Sequence, residues 1–165
     1  METTIQDFKL TTLVISSVFI ILFLVVSAVE SNSVVLNGYS TVLHCAVICI
    51  GIQWIAWIPA SIWKTERFYD LTGGLTYLVV VAFSLWSGSQ FEPPSLREII
   101  ISVLVIVWSL RLSSFLYFRI HRTGKDGRFD RLKTSPIRFL VPWTLQGLWV
   151  FLTMVVVIVI NNQEN

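Results

Sequence analysis

Charged residues make up only 13% of this 165-residue chain, and long apolar stretches carry none. More than half of the residues are hydrophobic, which is more than a soluble domain of this size can hide from water. A soluble fold is therefore excluded. Cysteine is scarce as well. Cys45 and Cys49 lie one helical turn apart inside an apolar run, which gives no disulfide framework. The sequence contains no Asn-x-Ser/Thr acceptor, so glycosylation marks neither side of a membrane. Internal repeats and low-complexity segments are lacking, and a single integral membrane domain over residues 1–165 is expected. A net charge of +2 gives no reason to expect a nucleic-acid partner.

What the chain does have is tryptophan, phenylalanine and five runs long enough to cross a bilayer. A hydrocarbon core about 30 Å thick needs roughly 20 helical residues. The runs fall at about 11–29, 39–63, 71–91, 99–118 and 141–160. The predicted fold class is all-α, a polytopic transmembrane bundle. The first run has a rival reading as a signal peptide ending at Val26-Ser27-Ala28, but its apolar stretch exceeds the usual length. Ser95 followed by Glu98, after Pro93-Pro94, predicts a capping box at the start of the fourth span.

The basic residues are placed unevenly. Eight of twelve fall between Arg111 and Arg138, and five spans put eleven on one side against Arg97 alone on the other. Basic loops are retained in the cytoplasm, so the N-terminus and the basic loop 119–140 are expected inside and the C-terminus on the opposite side. Which membrane is involved does not follow from the sequence.

Arg111, Arg119 and Arg122 fall within roughly 80° of one another at 100° per residue, a basic stripe entering the fourth span. Arg111 either snorkels to the headgroups or binds a phosphate or carboxylate in an inward-facing cavity; both readings stay open. The segment from Thr123 to Asp130, with Gly124 and Gly127 flanking Lys125-Asp126, predicts a tight turn with basic groups available to an anion. It lacks the spacing of a Walker loop. In the loop Lys64–Asp70 the charges sum to zero, predicting local pairing, and Asp70 is expected to cap a glycine-rich helix start. His44, Cys45 and Cys49 do not converge on one helix face, so no metal site is expected. Gln53 should hydrogen-bond between helices, while Ala56 and Ala60 permit close helix approach.

Three segments also carry a resemblance. Trp63 to Tyr77 reads WKTERFYDLTGGLTY; Trp108 to Phe129 supplies Trp108, Arg111-Leu112, Leu116, Arg119 and Gly124-Lys-Asp-Gly-Arg-Phe129; Phe139, Trp143, Gln146 and Gly147 follow. In this order they resemble the membrane family called domain of unknown function 1295, which is similar to the steroid 5-alpha-reductases. The resemblance implies a multi-span bundle and NADPH-dependent reduction of a carbon–carbon double bond in a lipid or steroid-like substrate. It makes Arg111, Arg119 and Arg128 the candidate cofactor-phosphate contacts; no catalytic residue is assigned. Such reductases carry a further cofactor signature, histidine-proline-asparagine-tyrosine, that does not follow His121 here, so this chain is expected to be incomplete as an enzyme. The alternative is a non-catalytic bundle that binds lipid or a protein partner of unknown identity.

Overall fold

The computed structural model describes residues 2–124 and 126–162. Five long helices account for nearly all of it: α1 (Glu2–Val29), α2 (Thr41–Trp63), α3 (Tyr69–Ser89), α4 (Leu96–Thr123) and α5 (Pro136–Asn161). Each is long and apolar enough to span a membrane. The predicted spans are therefore present, with three of them longer than expected, and α1 begins at Glu2 rather than near residue 11. α4 continues to Thr123 and α5 begins at Pro136, because amphipathic turns beyond the apolar stretch keep the helical hydrogen-bond ladder intact.

Helix ends follow local chemistry. Ser95 accepts from the Glu98 backbone and Glu98 reaches back to the Ser95 N–H, completing the expected capping box. α2 is capped by Ser40, which accepts from the Leu43 N–H. Before it lies a feature that the hydropathy pattern hides, a two-residue hairpin pairing β1 (Val35–Leu36) with β2 (Tyr39–Ser40). Its turn is Asn37-Gly38, both at positive φ (50° and 84°), as two-residue hairpin turns require.

Alternate helices run in opposite directions, which gathers the ends nearest the basic residues on one side, here called the basic end. α5 packs against α1, α2 and α3, whereas α4 leans mainly on α3 and meets α5 only sparingly. The shared core joins Val18 and Leu22 of α1 with Cys45 and Cys49 of α2, Val80 of α3, and Phe151 and Met154 of α5. Helices in lipid gain little from apolar contact alone, so interhelical polar bonds and small residues locate them. Gln53 donates to Thr76 Oγ1 at 2.9 Å, as its position in α2 predicts. Ala60 lies fully buried against Phe139 and Trp143. His44 bonds the Ser40 carbonyl, and both cysteines are buried and free. α1 is tied to α5 by Arg138–Asp7 at 2.6 Å and by Thr11 donating to the Ile137 carbonyl.

Candidate functional site

The sparse meeting of α4 and α5 leaves a cleft over α3. It is a cavity of about 340 Å³ whose floor is Asp70, Gly73, Gly74 and Tyr77. One wall is Trp108, Ser109, Leu112, Ser113 and Leu116; the other is Gln146, Trp149, Val150 and Thr153. Its volume lies at the lower edge of the usual range for small-molecule sites, about 300–1,000 Å³. Trp108, Leu112 and Trp149 also form the exposed outer rim, so the cavity opens sideways to where lipid would lie.

Sequence explains why the cleft has this shape. Gly74 lets α4 approach so closely that a Cβ there would collide with Ser113. That contact fixes α4 to α3 at mid-height. Farther from the basic end, Tyr77 stands edge-on to Trp108 with ring centroids 5.1 Å apart, and its hydroxyl meets Thr153 Oγ1 at 2.7 Å. The Tyr77–Thr153 bond joins α3 to α5 and closes that side of the cavity.

At the basic end the mouth is lined by charge. Arg119 Nη2 lies 3.9 Å from Asp70 Oδ2. Asp70 sits in the first turn of α3, but the helix starts with no side-chain cap. The expected capping role is thus replaced by this pairing, since the carboxylate turns toward α4 rather than back onto its own backbone. The loop beyond α4 folds over the same region. Gly124 ends α4 in a left-handed conformation, and Asp126 caps a short 3-10 turn at Gly127–Phe129. Lys125 lies outside the described residues. Arg128 bonds both carboxylate oxygens of Asp126. That bond holds the Asp126 carboxyl below its ordinary range and raises the Arg128 pKa, with Asp70 also acting on Arg128 through charge.

Glu66 anchors the loop from below. It is 5% exposed and accepts from the Asp126 backbone N–H and from Lys133 Nζ, both at 3.0 Å. The two acids of Lys64–Asp70 therefore pair across to other segments, not locally as the loop's zero sum predicts. Buried Glu66 and the helix-facing Asp70 each find a basic group contributed by the α4–α5 region. Burial alone would lower the Lys133 pKa, but hydrogen bonds to Glu66 and Asp130 outweigh it and raise it. Phe129 tucks beneath this lattice, tilted against the Tyr69 ring and edge-on to Phe139.

The structure divides the three candidate arginines. Arg119 and Arg128 stand near Asp70, each already engaged by a carboxylate. Arg111 is exposed. Ser109 and Ser113, which face the cavity, are each two residues from it and so roughly 160° around the helix. Arg111 thus projects from the outward face of α4. The cavity residues that the charge pattern passes over are Tyr77, Trp108, Ser109 and Ser113. The signal was a pair of serines four apart in an apolar span, matched to the glycine pair of α3.

Residues 56–165 match the model of a family described as a protein of unknown function, DUF1295. That match takes in 110 of 165 residues (165 − 56 + 1), including both cavity walls and its floor. The chain belongs to this family. No curated protein matches it, and no solved structure does. The matched region begins within α2, so α1 and the hairpin lie outside it.

Proposed function

We propose that this membrane protein binds an amphiphilic small molecule in the α4–α5 cavity, with its apolar part entering from the bilayer and its polar end near Asp70 and Gln146. The observation that carries this reading is the cavity's composition: an aromatic and aliphatic rim exposed toward lipid, over an interior with a carboxylate in its floor and an amide in one wall. Binding sites are commonly apolar clefts with a few placed polar groups. In this reading the basic end faces the cytoplasm, following the eleven-to-one distribution of basic residues. A photoreactive long-chain alcohol, activated on the purified protein and mapped by peptide mass spectrometry, tests it. Labelling should concentrate on 108–116 and 146–153 and be competed by excess unlabelled alcohol. Labelling spread evenly over all outward helix faces, without saturation, would remove the reading.

A second reading is the reductase one, in which Arg119 and Arg128 contact NADPH phosphates and the bound amphiphile is a lipid or steroid-like substrate. What favours it is that both guanidiniums lie at the mouth of the same cavity. When bound, NADPH supplies a hydride for double-bond reduction. The described residues fit the dinucleotide poorly, however. Both arginines face carboxylates that would repel a phosphate, and Arg111 projects away. We therefore place lipid binding first and assign no catalytic step. Titrating the purified protein with NADPH separates the two: saturable binding weakened by Arg119→Gln and Arg128→Gln supports reductase chemistry, and no binding removes it for this chain.

A further inference from the structure

We infer that the α4–α5 cavity selects an amphiphile whose buried end donates hydrogen bonds, a hydroxyl or an amine, over one ending in a carboxylate. This rests on the lipid-binding reading above and names the class of ligand. It follows from where the protons of the lining already go. Ser113 Oγ donates to the Ser109 carbonyl at 2.7 Å, and Ser109 Oγ donates to the Ile106 carbonyl at 3.1 Å. Thr153 Oγ1 donates to its own helix, to the Trp149 carbonyl at 2.9 Å. The Tyr77 proton is then the one that fills its 2.7 Å bond to Thr153. Four hydroxyls thus have their protons committed; Thr153 gives one lone pair to the Tyr77 proton, while the lone pairs of Ser109 and Ser113 are left over.

Two stronger acceptors join them. Gln146 Oε1 is buried with no hydrogen-bond partner. Among the described residues, Asp70 is the only ionisable group of the lining apart from the engaged Tyr77, and the nearest cation among them, Arg119, stands at 3.9 Å, beyond hydrogen-bond length. The remaining lining donors are the Gln146 amide nitrogen, lying against Gly73, and the indoles of Trp108 and Trp149 on exposed residues of the rim. A ligand carboxylate would meet the Asp70 charge and this row of lone pairs. A hydroxyl or ammonium would satisfy them.

The test uses three octadecyl amphiphiles, brominated at mid-chain and differing only in ending as alcohol, amine or carboxylate. Each is titrated into the detergent-purified protein while bromine quenching of tryptophan fluorescence is followed. Alcohol and amine should half-saturate at concentrations roughly tenfold below the carboxylate, the ratio given by about one good hydrogen bond to a charged group. Asp70→Asn should shrink the amine-to-carboxylate gap, and Gln146→Leu should weaken the alcohol. Each variant is checked for an unchanged elution profile and thermal midpoint, and Ser109→Ala serves as a milder variant if either misfolds. Equal binding of all three, or tightest binding of the carboxylate, overturns the donor preference and leaves lipid binding standing. Saturable quenching by none of them overturns both.

Discussion

The amide of Gln146 lies across Gly73, so that a Cβ on residue 73 would stand 2.5 Å from Nε2. The glycine is what allows a polar side chain of α5 to reach the α3 surface inside the cleft. Gly73→Ala displaces only the far end of a flexible side chain, which can swing away. Stability should fall little, by less than about 1 kcal/mol. Ligand affinity should fall more, since the swing removes the amide oxygen from the cavity. The expected outcome is a nearly unchanged thermal midpoint with quenching by the brominated alcohol weakened several-fold. Unchanged affinity would separate Gln146 from the binding surface.

Gly88 makes the opposite prediction at the far end of the same helix. A Cβ there would collide with the backbone carbonyl of Asn161, which cannot swing. Asn161 is held in place because its Nδ2 donates to Ser84 at 3.0 Å and Ser102 at 3.2 Å. Asn162 adds a bond to the Ser84 carbonyl at 3.2 Å. Gly88→Ala must therefore move α3 from α5, at a cost of about 1–3 kcal/mol, as for overpacked cores. A thermal midpoint several degrees lower than that of Ser89→Ala, one residue on and exposed, is the expected measurement. Equal midpoints would mean that the two helix ends are free to slide apart.

The contrast between these glycines also marks what the sequence could and could not tell. Hydropathy was enough to place five helices, because its signal is summed over some twenty residues and tolerates local error. The Ser95–Glu98 capping box was legible because its partners are three residues apart. The partners of Glu66, Asp70, Gly73 and Gly88 were not, since each sits on another helix or on the loop between α4 and α5 and depends on how the spans pack. The stripe of Arg111, Arg119 and Arg122 was real as geometry, but which way it pointed depended on the packing of α4. Serines at 109 and 113 won the inward face, and Arg111 was turned outward.

Glu66 gives a third prediction, about the loop over the cavity mouth. Its carboxylate is buried, and two segments of the loop, at Asp126 and Lys133, depend on it. Removing one partner of a fully buried ion pair costs about 3–5 kcal/mol. Here Lys133 also bonds Asp130 at 3.1 Å and is partly exposed, so the loss should be nearer 1–3 kcal/mol. Glu66→Ala should loosen the loop before the bundle unfolds. Limited trypsin digestion should cut after Arg128, Arg131 or Lys133 faster than in the parent protein, while Glu66→Gln, which keeps an acceptor for the Asp126 N–H, should fall between. Cleavage at the parent rate in Glu66→Ala would show that the aromatic contacts of Phe129 suffice to hold the loop.

The Asp126–Arg128 pair yields the last prediction, on pH. The Asp126 carboxyl is held below its ordinary value of 3.8, chiefly by the Arg128 hydrogen bond. A group whose folded value is depressed adds stability that is complete above the unfolded value and fades as pH falls through the folded one. The contribution should therefore be constant from neutral pH to about pH 5 and decline below about pH 4. Arg128 is largely exposed, with 68% of its side chain accessible, so solvent screens the pair and its worth should be only about 0.2–1 kcal/mol. Hydrogen exchange of the Arg128 backbone amide, which donates to Asp126 Oδ1 at 3.0 Å, reports on it locally. Protection at that amide should hold down to about pH 4 and drop as the pH falls further, after correction for intrinsic exchange rates, and in Asp126→Asn the drop should vanish. A parent protein whose corrected protection stays flat as the carboxylate is protonated would mean that it does not hold the turn.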